Sequence, residues 1–74
     1  MYANDVGINA GAIWSLLSEK GKLSIREIGE LTNFREQFIY LAFGWLLRED
    51  KIRFFEEKGV VYVELKQLAT EMYF

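Results

Sequence analysis

The apolar positions of this chain change their period once, from helical spacing before residue 50 to strand spacing after it. From Asp5 to Lys20, Val6, Ala10, Ile13 and Leu17 recur on one helical stripe, Trp14 and Leu16 widen it, and Gly21 follows as a terminator. This predicts a first helix with Asn4 and Asp5 as candidate N-caps, although Gly7 and Gly11 each cost up to ~1 kcal/mol relative to alanine. Ser24-Ile25-Arg26-Glu27 has the form of a capping box, in which serine and glutamate satisfy each other's backbone amides, and it starts a second helix. Ile25, Ile28 and Leu31 line one side of that helix, and Gly29 leaves room for a neighbour. Thr32-Asn33-Phe34 reads as a turn, and Asn33 with Glu36 repeats a capping signal for a third helix ending near Arg48.

Beyond Asp50, Ile52 and Phe54, then Val61, Val63 and Leu65, alternate with Arg53, Tyr62 and Glu64. Alternation with β-branched and aromatic enrichment predicts two strands. Glu56-Glu57-Lys58-Gly59 joins them as a hairpin loop that ends on glycine, and Lys22-Leu23 suffices for a two-residue strand. Residues 66–74 form a mixed tail compatible with a short helix. No linker, repeat or low-complexity stretch interrupts the chain, so residues 1–74 read as one domain with its core over about 5–65.

Helix, short strand, helix, turn, helix, hairpin is the element order of a winged helix-turn-helix, an α+β fold that is mainly α. Within it, Leu41-Ala42-Phe43-Gly44-Trp45-Leu46-Leu47-Arg48-Glu49-Asp50-Lys51-Ile52 carries a Gly-Trp-Leu string followed by Arg-Glu and Lys-Ile. This junction resembles that of a family of very small bacterial winged helix-turn-helix proteins of unassigned function. Phe43 and Asp50 depart from the pattern, which has a smaller residue and a glycine there. The resemblance implies the fold and a DNA-binding ancestry.

On a helical wheel, Phe34, Phe38, Leu41, Ala42 and Trp45 cluster in a stripe about 100° wide, which marks the core face of the third helix. The expected core is then Ile13, Trp14, Leu17, Ile25, Ile28, Leu31, Phe38, Leu41, Trp45, Ile52, Phe54, Val61 and Val63, with Trp45 as anchor. The opposite side, Glu36, Ile39, Tyr40, Phe43 and Leu47, is also mostly apolar and requires its own cover. A homodimer through Ile39, Tyr40, Phe43 and Leu47 is the economical one, because two-fold pairing of one patch is the commonest oligomer. The alternative cover is the tail, with Leu68, Met72, Tyr73 and Phe74.

Charge narrows the function. Nine basic against eleven acidic residues give a net charge of −2, and the sequence pI is about 5.1, where nucleic-acid domains are often above about 9. The basic residues best placed for a phosphate-binding strip are Arg26, Arg35, Lys51 and Arg53, with Gln37 as a polar neighbour. The wing tip, Glu56-Glu57-Lys58, is net acidic where a minor-groove wing favours Arg or Lys. Two readings follow: a DNA-associated transcriptional regulator acting as a homodimer, or a protein-protein interaction module on the same scaffold.

With no cysteine and no histidine, the chain lacks thiolate and imidazole nucleophiles and the usual zinc ligands. The six glycines are isolated and form no phosphate cradle, and no carboxylate pair stands out by spacing. No enzyme activity, cofactor, metal or small-molecule ligand is therefore expected. The longest apolar run, Phe38 to Leu47, has ten residues where a membrane span needs about twenty, and no cationic leader precedes it. A cytoplasmic protein is the expectation.

Overall fold

The computed structural model describes residues 3–66, with side chains from Asp5 onward. The tail expected to cover an apolar face lies outside the described residues. The elements run α1 (Ala3–Lys20), β1 (Leu23–Ser24), α2 (Ile25–Thr32), α3 (Glu36–Arg48), β2 (Ile52–Glu57) and β3 (Val60–Leu65). The strands form one antiparallel sheet in the order β1-β3-β2. α1 starts at Ala3, so Asp5 lies inside the first turn, past the N-cap position, where its negative charge favours the positive end of the helix dipole.

The capping box at α2 forms as read. Glu27 N–H donates to Ser24 Oγ at 3.1 Å and Ser24 N–H to Glu27 Oε1 at 2.8 Å. Ser24→Ala is expected to cost ~1 kcal/mol, lowering the melting temperature by roughly 4–8 °C in thermal unfolding. The second capping expectation is corrected. Asn33 closes α2 in the left-handed conformation (φ 65°), its N–H donating to Gly29 O at 2.8 Å, and the N-cap of α3 is Arg35, without a side-chain cap bond. Asparagine tolerates this backbone better than most side chains, so the same residue suits a helix end as well as a start. Thr32 tightens the turn, its hydroxyl donating to Ile28 O at 2.7 Å and accepting from Phe34 N–H at 3.0 Å.

The hairpin pairs Ile52 with Leu65 through Glu57 with Val60. Its loop is therefore only Lys58-Gly59, with φ of 51° and 82°, the geometry of a type I′ turn. Glu56 and Glu57 stay in the ladder, which shortens the expected four-residue loop. Lys58→Asn relieves a left-handed lysine and is expected to stabilise by about 0.5–1 kcal/mol, read as a higher urea midpoint. Asp50 also has positive φ, 60°, which explains why the resembling pattern has glycine there.

The outer face of the sheet ties all three strands together. Phe55 stacks on Tyr62 with centroids 5.7 Å apart, and the Lys22 ammonium sits 4.9 Å from the Tyr62 ring and 5.6 Å from Phe55 while bonding Glu57. The Glu57 bond holds the Lys22 pKa above the ordinary lysine value, so the ammonium stays charged at neutral pH. This cluster anchors the wing to the two-residue β1.

The core is Ala10, Ile13 and Leu17 of α1, Leu23, Ile28, then Ile39, Ala42, Phe43 and Leu46 of α3, with Ile52 and Val63 of the hairpin. Six of these lie outside the expected list, four of them on α3. Leu41 is 50% exposed and Trp45 38% exposed, whereas Ile39 and Phe43 are 1% and 4% exposed. Phe38 is half-buried, and Leu31, Phe54 and Val61 are exposed as well. The inward face of α3 is thus turned by about 100°, one residue step, from the wheel reading. A helix apolar on nearly every side has no preferred face of its own, and packing against α1, α2 and β2 selects one.

Candidate nucleic-acid interface

α2, the Thr32–Phe34 turn and α3 form the helix-turn-helix, and the N-terminal ends of both helices border one open groove of about 430 Å³. Arg26 lines it from the first turn of α2, its guanidinium exposed and joined to Glu30 at 3.2 Å. Glu36 and Tyr40 line it from α3, the Tyr40 hydroxyl donating to Glu36 Oε2 at 3.3 Å. Arg35 and Gln37 flank Glu36 and are exposed. Arg35 makes no ion pair with any described residue. Partial burial, then the Glu36 carboxylate, raise the Tyr40 pKa, so this phenol is a neutral donor.

Each helix N-terminus carries a partial positive charge, and the arginines add to it, so this end of the motif suits phosphate oxygens. Three carboxylates share this end and keep their negative charge: Glu27 in the capping box, Glu30 paired with Arg26, and Glu36 accepting from Tyr40.

The remaining two residues of the expected strip lie elsewhere. α3 has 13 residues and is about 20 Å long, and Lys51 follows its far end, where its N–H donates to Leu46 O at 2.9 Å. Arg53 points to the outer face of the sheet, opposite Ile52, and bonds Glu64 at 2.7 Å. The structure therefore brings Arg26, Arg35 and Gln37 to one end of the molecule and separates Lys51 and Arg53 from them. At the wing tip, Glu57 is paired with Lys22.

The face assigned to a dimer is likewise divided. Ile39 and Phe43 are core residues, Phe43 packing edge-on against Phe54 at 5.2 Å, so burial inside their own chain removes both from a surface role. Tyr40 and Leu47 remain about half exposed. The wheel reading also missed a cleft between α1 and α3, lined by Trp14 and Trp45. Its signal in the sequence is the pair Gly7 and Gly11, one helical turn apart, since a Cβ at Gly7 would come within 3.1 Å of the Trp45 ring.

Three helices with a two-stranded wing and a short third strand define a winged helix-turn-helix domain. The chain belongs to the family described as winged helix-turn-helix domain (DUF2582), whose model matches residues 1–65. It is similar to protein BT2368 from Bacteroides thetaiotaomicron, whose solution NMR structure superimposes with a TM-score of 0.78 at 33% identity, over 89% of this chain and 80% of that one. The crystal structure of the adhesin competence repressor AdcR from Streptococcus pyogenes shares the fold, with a TM-score of 0.72 at 23% identity, over 85% of this chain and 48% of the repressor's. No curated protein matches the chain. Among the described residues no helix is long and apolar enough to cross a membrane.

Proposed function

We propose that this domain is a DNA-associated regulatory module that acts as a homodimer and meets duplex phosphates with the N-terminal ends of α2 and α3. The observation that carries the reading is the placement of Arg26 and Arg35, both exposed, at those two ends with Gln37 beside them. The likeness of fold to a repressor supports it by analogy. Lys51 and Arg53 have no part in this contact, because they lie at the far end of α3 and across the sheet. Tyr40 and Leu47, two turns apart on one stripe of α3, are the exposed remainder of the face assigned to the dimer.

Phosphate contacts release counterions, so duplex affinity must fall with salt. Two cations per protomer give a log-log slope near −1.8, and four in a dimer give about −3.6, a loss of roughly 150-fold between about 50 and 200 mM salt. Fluorescence anisotropy with a labelled mixed-sequence duplex measures this directly. Absence of binding at the low-salt end overturns the proposal.

One observation favours a second reading, a protein-interaction module: Tyr40, Leu41 and Leu47 make the outward side of α3 apolar, where base edges call for hydrogen-bonding side chains. Association through such a face would hardly respond to salt.

A further inference from the structure

β2 is an edge strand with an open side. The sheet order β1-β3-β2 gives it one neighbour, and among the described residues no backbone bond reaches its other side. Lys66 N–H donates to Lys51 O at 3.0 Å, one step beyond the Ile52–Leu65 pair, so positions 51, 53, 55 and 57 turn their main-chain groups toward β3. Ile52, Phe54 and Glu56 turn theirs outward. Arg53, Phe54, Glu56 and Glu57 are exposed as side chains too.

The charges of this strand are segregated by end. Lys51 and Arg53 lie before Phe54-Phe55, and Glu56 and Glu57 lie after it. Laid beside itself in the same direction, the strand sets like charges together; reversed, it sets unlike charges together. Side chains directly opposite each other share a face of the sheet, so a reversed register pairs odd positions with odd and even with even. The register centred on Phe55 puts Arg53 opposite Glu57 of the second copy on both sides of the centre, and the outward main-chain groups of Phe54 opposite those of Glu56.

We propose that two copies of the chain pair antiparallel along β2, joining their sheets into one, with Phe55 at the two-fold axis. The inference rests on the homodimer of the proposed function and gives it an interface. Phe54 and Glu56 exchange main-chain hydrogen bonds across the axis, while Arg53 and Glu57 fix direction and register. This charge order selects a second copy over an unrelated strand, which would not complement it. Assembly stops at two, because the outer edges of the joined sheet are then both β1, two residues long and too short to recruit another strand.

The contact is smaller than the ~1,200 Å² at which standard interfaces begin, so half-association is expected at roughly 0.1–1 mM. Sedimentation equilibrium of the full chain without DNA should show the mass rising from 8.7 kDa toward twice that value. Exposed ion pairs add little attraction, so Arg53→Ala should leave the pairing nearly intact, and charge reversal is the sharper probe. Arg53→Glu and Glu57→Lys, each alone, should weaken association by about tenfold or more, since like charges then lie opposite each other. Mixed in equal amounts, the two variants should associate as the parent does, because each now complements the other, and mixing changes neither chain's own fold. Glu56→Pro should stay folded and monomeric, since its outward-facing amide is dispensable to the chain and needed by the pairing. A parent that remains monomeric above the expected range overturns the proposal and leaves the phosphate contact of the helix ends standing, which duplex titration reads separately. Reversed-charge variants that self-associate as the parent does overturn it too, as does a mixture that associates no more tightly than its components.

Discussion

Phe43→Ala is expected to cost about 3–5 kcal/mol, a large share of the ~5–15 kcal/mol that separates a folded domain from its unfolded chain. The side chain is 4% exposed and sits where α3 meets the hairpin, edge-on to Phe54 at 5.2 Å and tilted against Tyr40 at 6.3 Å. Its removal leaves a cavity that α3 and β2, each tied elsewhere, cannot close. Trp45→Ala serves as the comparison. Trp45 is the larger ring but 38% exposed, so its truncation should cost only about 1–2 kcal/mol, within the common range for point mutants. Thermal unfolding should place Phe43→Ala at least about 12 °C below the parent and Trp45→Ala much nearer to it. The reverse order would mean that α3 presents the face its sequence suggests. Phe43→Glu follows from the same burial: it should unfold the chain, since an unpaired carboxylate has no place in this core, whereas an interface role would leave a folded monomer.

The combined variant Arg26→Ala, Arg35→Ala should reduce the magnitude of the salt slope of duplex binding by about 2 for each protomer bound. Both side chains are exposed at helix N-termini, so the fold should survive: the Arg26–Glu30 pair is an exposed helix pair of small energetic weight, and Arg35 caps α3 through its backbone alone. The loss should be equal on unrelated duplexes, because phosphate contacts carry no base information. Arg53→Ala is the control. It sits on the outer face of the sheet against Glu64 and should leave the slope unchanged. A slope that responds to Arg53 and not to Arg26 and Arg35 would move the contact to the wing and refute the placement on the helix ends. The size of the change also reports stoichiometry, about 2 for one protomer and about 4 for two.

Resemblance and local pattern agree on the fold because each of its signals is short-range. The Ser24–Glu27 box forms as written, and the shift from helical to alternating spacing falls where α3 gives way to β2. The glycine expected at position 50 reflects a backbone that Asp50 adopts with φ of 60°. Two local signals were ambiguous. Asn33 suits an N-cap and a left-handed C-cap equally by residue type, and Glu56-Glu57 suits a loop by polarity although the register keeps both residues in the ladder.

The candidate site was legible as a set of residue types and illegible as a place. Arg26, Arg35, Gln37, Lys51 and Arg53 share polarity, but whether they converge depends on the length of α3 and on the strand parity that turns Arg53 away from the helices. Neither is a property of any residue alone.

The sequence by itself determined the order of elements, the capping box that starts α2 and the absence of cysteine and histidine, since these depend on neighbours a few positions away or on composition. Only the tertiary structure decided which side of α3 is inside. With apolar residues around most of its circumference, α3 gains similar hydrophobic stabilisation in several rotations. The selection comes from shape: Phe43 fits against Phe54, Ile39 beside Gly29, and the Trp45 ring over Gly7, and those partners meet only once the chain has folded.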